Sequence, residues 1–317
     1  LKHAGELAAL LTAVFWTITA LSFEAASKRI GSMIVNLLRL IVGFIFLSIF
    51  AWIYRGYLIP VDASGRTWLI LIISGLIGFT FGDLCLFQSF VVIGARISML
   101  LMALAPPMTA LISWIILGEE MTGKAWLGMI VTITGITLVV LRREEFPKKP
   151  QGRRRYRFNY PVWGILLGLG GAFGQALGLV LSKFGMHDSI AVAAGRIGGV
   201  AQSYDPFASA QIRVIAGIIG FAILFTIFGL WKKTYQAISD SRAVGQLSLG
   251  AFFGPFLGVS FSLMAIQLTN TGIAATIMAI VPVLIIPPSI ILFKEKVKLK
   301  EVLGAILAVG GVALFFL

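Results

Sequence analysis

Acidic residues, histidine and cysteine are scarce in this chain. Its 317 residues include 13 Asp/Glu, two histidines and one cysteine. The lone Cys85 excludes an intrachain disulfide. His3 and His187 have no Cys, Asp and His set around them, so no metal site and no cofactor are expected. A phosphate-binding glycine loop with its Lys-Ser/Thr is missing, and so is a nucleophile elbow, which removes the usual signs of an enzyme. Charge is low overall, at 12% of residues, where a soluble domain carries about 25%.

What the chain has instead is apolar length. Mean hydropathy is +0.97 and 58% of residues are hydrophobic. A run of about 20 apolar residues spans a bilayer. Such runs fall near 7–25, 33–54, 68–93, 97–117, 124–141, 161–182, 205–230, 244–267, 271–293 and 299–317. The expected fold is an all-α integral membrane protein of ten transmembrane helices. The first run leads directly into Lys28, Arg29 and a second run, so it reads as a span and not as a cleaved leader.

Residues 68–141 and 244–317 repeat one another at an offset of 176. Ser74, Gly78 and Gly82 fall on Gly250, Gly254 and Gly258, and Pro106 on Pro282. Glu119 falls on Glu295, Gly128 on Gly304 and Gly135 on Gly311. Upstream the register shifts. Ser27-Lys28 resembles Ser182-Lys183, and the stretch from Asn36 through Arg39 to Gly43 resembles that from Gln211 through Arg213 to Gly217. The domains are then a first five-helix repeat over 1–141, a basic linker over 142–160 and a second repeat over 161–317 with an insertion near 184–206. An odd number of spans per copy makes the copies insert in opposite senses, as an inverted repeat.

The net charge of +13 belongs to lipid contact and orientation, not to nucleic acid. Loops on the linker's side hold eighteen Lys/Arg and the opposite loops six, which puts the linker in the cytoplasm and both termini outside.

Polar groups within spans are the candidate substrate-binding residues: Trp16, Asn36, Arg39, Asp83, Gln88, Gln175, Arg213 and Gln267. An ionised carboxylate at membrane depth is costly, so Asp83 reads either as a proton-coupling or substrate-binding group or as a structural partner of Arg39. Its repeat counterpart is Val259. Arg213 has as second-copy neighbours only Asp188 and Asp205, in the loop before its span, and an under-paired arginine facing a cavity suits a carboxylate or phosphate; snorkelling to the headgroups is the other reading. Pro106, Pro107, Pro255 and Pro282 interrupt spans and read as hinges or kinks. Glu119, five residues before Lys124, is expected to shape a short turn.

The run Ala103-Leu-Ala-Pro106-Pro-Met-Thr-Ala-Leu-Ile-Ser-Trp, followed by Leu117-Gly-Glu119, Gly128 and Gly135, resembles the EamA repeat. A weaker copy runs from Ala279 through Pro282, Glu295 and Gly304 to Gly311. Two such repeats are characteristic of the ten-helix branch of the drug/metabolite transporter superfamily. That resemblance implies an inner-membrane carrier with alternating access and both termini cytoplasmic, against the charge bias. The expected function is transport of a small-molecule substrate, a small polar or amphipathic metabolite (amino acid-like, sugar or organic anion), exported in exchange for protons. A lipid or lipid-linked carrier flippase and a non-transporting scaffold or sensor are the other readings. Membrane lipids are the expected surroundings, and the oligomeric state is open.

Overall fold

A computed structural model describes residues 3–93, 98, 101–140, 161–187, 203–288 and 299–316. The basic linker, Glu295 and most of the insertion lie outside these residues. Among the described residues the chain is all helical, with no strand. In hydrocarbon every backbone polar group needs an internal partner, and helices supply one within each span.

The first copy comprises α1 (Ala4–Ile30), α2 (Ser32–Arg55), α3 (Gly65–Gly75), α4 (Asp83–Ile93), α5 (Ala105–Leu117) and α6 (Gly123–Val140). The second comprises α7 (Val162–Met186), α8 (Pro206–Ile227), α9 (Trp231–Ile238), α10 (Ser241–Ala251), α11 (Val259–Leu268), α12 (Thr271–Met278), α13 (Val281–Leu284) and α14 (Leu299–Ala313). Among the described residues, seven helical stretches are long and apolar enough to cross a membrane. Three more apolar helices are shorter: Ala105–Leu117, Gly123–Leu138 and Val302–Ala313. The protein is a multi-pass membrane protein. Only Gly31 separates α1 from α2, at φ +86°, a conformation that glycine adopts without the cost of a Cβ.

Two irregularities recur at the repeat offset. A π-helical segment, Leu76–Gly82, joins α3 to α4, and another, Phe252–Gly258, joins α10 to α11. Ala103–Leu104 form a turn before α5, and Ala279–Ile280 form one before α13. The turns relocate the expected proline kinks. Pro106 and Pro282 stand in the first turn of a new helix, where the missing N–H costs nothing. The break therefore precedes each proline. Pro255 lies inside the second π-helical segment.

Helices of one copy pack against helices of the other through small residues. α3 and the first π-helical segment meet α7, with Gly78 on Gly178 and Gly82 on Gly174. α1 meets the second π-helical segment, with Thr19 on Gly254 and Trp16 on Gly258. α6 meets α14, with Gly128 on Gly311 and Gly135 on Gly304 and Ala308. In each pair one number rises as the other falls, so the partners run antiparallel. Gly43 of α2 abuts Pro255, while its counterpart Gly217 of α8 abuts Phe79, which is the counterpart of Pro255. Without a hydrophobic drive between helices in lipid, this close approach supplies the packing that holds the copies together.

A Cβ at Gly135 would lie 2.3 Å from the backbone nitrogen of Ala308, whereas one at Gly310 would meet nothing within 4 Å. Gly135→Val should therefore cost about 1–3 kcal/mol of stability through overpacking, with Gly310→Ala close to wild type. Melting of the two variants in detergent checks this, and equal melting points would remove α6–α14 packing as a determinant.

Candidate functional site

A cavity of about 340 Å³ lies between the copies. α1 contributes Trp16 and Thr19, α2 contributes Arg39, and the first π-helical segment with α4 contributes Phe79, Asp83, Leu86 and Phe87. From the second copy come Gln175 of α7, Arg213 of α8, Pro255, Val259 and Ser262 around the second π-helical segment, and Pro282 of α13. Pro106 and Thr109 of α5 complete the first copy's share. Most of the wall is aliphatic or aromatic, with a few polar groups set into it, the usual make-up of a small-molecule pocket.

Asp83 is the electrostatic centre. It is 4% exposed, forms an ion pair with Arg39, and accepts a long hydrogen bond from Gln175 Nε2 at 3.4 Å. Its field also reaches Arg213. Arg39 lies over the Phe23 ring at 5.6 Å. Arg213, also 4% exposed, lies over the Phe79 ring at 4.9 Å. Its Nε has no hydrogen-bond partner among the described residues. The acid whose field reaches Arg213 is not one of the second-copy neighbours Asp188 and Asp205 but Asp83, from the first copy.

Trp16, Arg39, Asp83, Gln175, Arg213, Pro106, Pro255 and Pro282 thus meet at one cavity. Asn36, Gln88, Gln267 and Pro107 are not on its lining. Gln88 is exposed on the outer face of α4, because the helical turn carries it away from Asp83 and Phe87. Asn36 is fully buried, with no hydrogen-bond partner for either amide atom among the described residues. Gln267 ends α11 and donates to the Tyr204 carbonyl at 2.6 Å. Phe79, Phe87, Thr109 and Ser262 line the cavity without a local sequence signal. Only the coincidence of Phe79 with the repeat position of Pro255 hinted at the first of them.

One end of the bundle is tied across the copies. Lys183 Nζ lies 2.5 Å from Glu119 Oε1 and donates to the Thr269 carbonyl at 2.8 Å. Glu119 Oε2 accepts the Thr271 N–H at 2.8 Å. Thr269 Oγ1 donates to Glu6 Oε1 at 2.8 Å. The turn role expected for Glu119 gives way to this bridge, since its carboxylate reaches a cation and an open helix N-terminus together. At the same end Tyr204 donates to Asp62 at 3.1 Å and accepts from Arg55 at 3.3 Å. Burial pushes the Tyr204 hydroxyl's pKa upward, with Asp62 adding to the effect, so it stays protonated as a donor. Gln211 Nε2 donates to the Leu58 carbonyl at 2.7 Å and to Ser48 at 2.9 Å. The rings of His3 and Phe316, 5.6 Å apart, also meet at this end. At the opposite end an exposed pair, Arg29–Asp240 at 2.9 Å, joins α1 to the start of α10.

The model of the EamA-like transporter family matches residues 3–141 and 162–317. An uncharacterized membrane protein of Saccharomyces cerevisiae, YMR253C, is 29% identical over 119 residues, which cover 37% of this chain and 28% of that protein. A solved crystal structure of another protein superposes with a TM-score of 0.70 at 17% identity, over 99% of this chain and 96% of that one. At that identity the likeness concerns fold alone.

Proposed function

The chain belongs to the EamA-like transporter family, and from that premise we propose a secondary carrier that moves a small polar or amphipathic metabolite by alternating access. The seven long spans and the three shorter apolar helices make ten, five to each copy. The copies stand in opposite senses across the bilayer. Two separate family matches, one per half, support this, as do the antiparallel Gly78–Gly178 and Gly128–Gly311 contacts between copies. Both termini face the cytoplasm of a cell whose inner membrane holds the protein, and proton exchange drives export through Asp83.

The observation that carries the reading is the Arg39–Asp83–Arg213 group set in a cavity built by both copies. A scaffold with a dry apolar seam has no use for three ionisable groups at membrane depth, where their desolvation is expensive. Lys183, Glu119, Thr269 and Glu6 tie one end across the copies, while the cavity lining includes Leu86, Phe87 and Met102, on the parts of their spans away from that end.

The test is reconstitution. Vesicles with and without the protein are given a pH gradient and a mixture of neutral, zwitterionic and anionic metabolites, and their contents are read by mass spectrometry. At least one solute should accumulate only where the protein is present. Equal contents in both vesicle sets would remove the carrier reading. Transbilayer movement of labelled phospholipid without any soluble solute would replace it with a flippase.

A further inference from the structure

We propose that the cavity takes an organic monoanion with an apolar body, its carboxylate or sulfonate held by Arg213. This rests on the carrier reading and names the substrate class for the same site. Among the described residues the lining carries two guanidiniums and one carboxylate. Asp83 is committed to Arg39, and Arg213 is left as a surplus cation. It is 4% exposed, and its buried Nε has no partner among the described residues.

Phe79 offers Arg213 a ring face, but a quadrupole is a weak substitute for a counter-ion at a desolvated site. An oxyanion fits the guanidinium fork and adds the hydrogen bonds it lacks.

Charge balance then selects among ligands. One added negative charge neutralises the group. A neutral ligand leaves the surplus cation in place. A zwitterion does the same, because its ammonium needs a carboxylate that Arg39 already holds. A phosphate monoester brings about −1.5 to −2 at neutral pH and overshoots. Trp16, Phe79, Phe87, Leu179 and Met278 give the remaining wall its apolar character, which accommodates the body of the ligand.

Binding to the full chain in detergent, read by calorimetry, tests this with ligands that share one body. The probes are 3-phenylpropionate, phenylalanine, 3-phenylpropanamide and benzylmalonate, with indole-3-acetate and octanoate as further monoanions. At least one monoanion should bind roughly tenfold or more tightly than its neutral, zwitterionic and dianionic analogues. Arg213→Gln should erase that preference, while Arg213→Lys should keep the charge ranking with weaker affinity. A melting scan establishes that each variant is folded. If no monoanion binds, or if the ranking survives in folded Arg213→Gln, the proposal is overturned. Protein-dependent accumulation of only neutral or zwitterionic solutes in the vesicle assay would overturn it too, while leaving the carrier reading intact.

Discussion

Vesicles carrying Asp83→Asn are expected to lose solute accumulation driven by a proton gradient, and Asp83→Leu to lose about 3–5 kcal/mol of stability. Both effects follow from one arrangement. Asp83 pairs with Arg39, its field reaches Arg213, and all three line the same cavity. Asparagine keeps the shape and can still accept a hydrogen bond from Arg39, so the fold survives, but no proton can be loaded and released. Leucine removes the acceptor as well, so the Arg39 guanidinium loses its counter-charge and its hydrogen bond together in a low-dielectric wall. Adding Arg39→Gln to Asp83→Leu should recover much of the lost melting temperature without restoring transport, because the two residues form one pair. Undiminished gradient-driven accumulation by Asp83→Asn would reduce Asp83 to a packing role.

The second large effect is expected at the tied end. Glu119→Gln removes the ion pair with Lys183 and weakens the acceptor for the Thr271 N–H. Hydrogen bonds to charged groups contribute about 1.5–3 kcal/mol. Losing about 2 kcal/mol shifts the ratio of closed to open at that end by roughly thirtyfold. Ser113 offers a reporter. It lies on α5 between Thr109 at the cavity and Glu119 at the end, and it is 1% exposed. In a Cys85→Ser background, Ser113→Cys should resist an impermeant maleimide applied to either face. The added Glu119→Gln should open it to reagent from the Glu119 face alone. Equal labelling with and without Glu119→Gln would mean that Tyr204, Gln211 and the helix packing hold that end shut without the pair.

The repeat was the most legible part of the sequence, because its glycines answer to backbone geometry. Ser74, Gly78 and Gly82 need to be small wherever they pack. Their spacing alone did not say that Gly78 and Gly82 would meet Gly178 and Gly174 of the other copy. The Arg39–Asp83 ion pair is among the readings the sequence leaves open for Asp83, since helical rise places the two residues at comparable depths in their spans. The bridge made by Glu119 is not legible in the sequence, because Lys183 and Thr271 come from the opposite copy and chain proximity carries no information about that. The same holds for the nearness of Asp83 to Arg213. That Gln88 stands off the cavity lining is not legible in the sequence, because the face of α4 that turns outward is as apolar as the one that turns inward. The π-helical segments leave no mark of their own either, since residues that suit an α-helix suit the wider one, and only Pro255 interrupts either run.

Those wide turns decide what faces the cavity. A π turn holds one residue more than the α-helical path it replaces. One residue of a helix is about 100° of rotation, so closing either turn to an α-helix would swing everything beyond it by that angle. The first residue beyond Leu76–Gly82 is Asp83 and the first beyond Phe252–Gly258 is Val259, and both line the cavity. Deleting one residue from the first segment would therefore carry the carboxylate off the lining and away from Arg39.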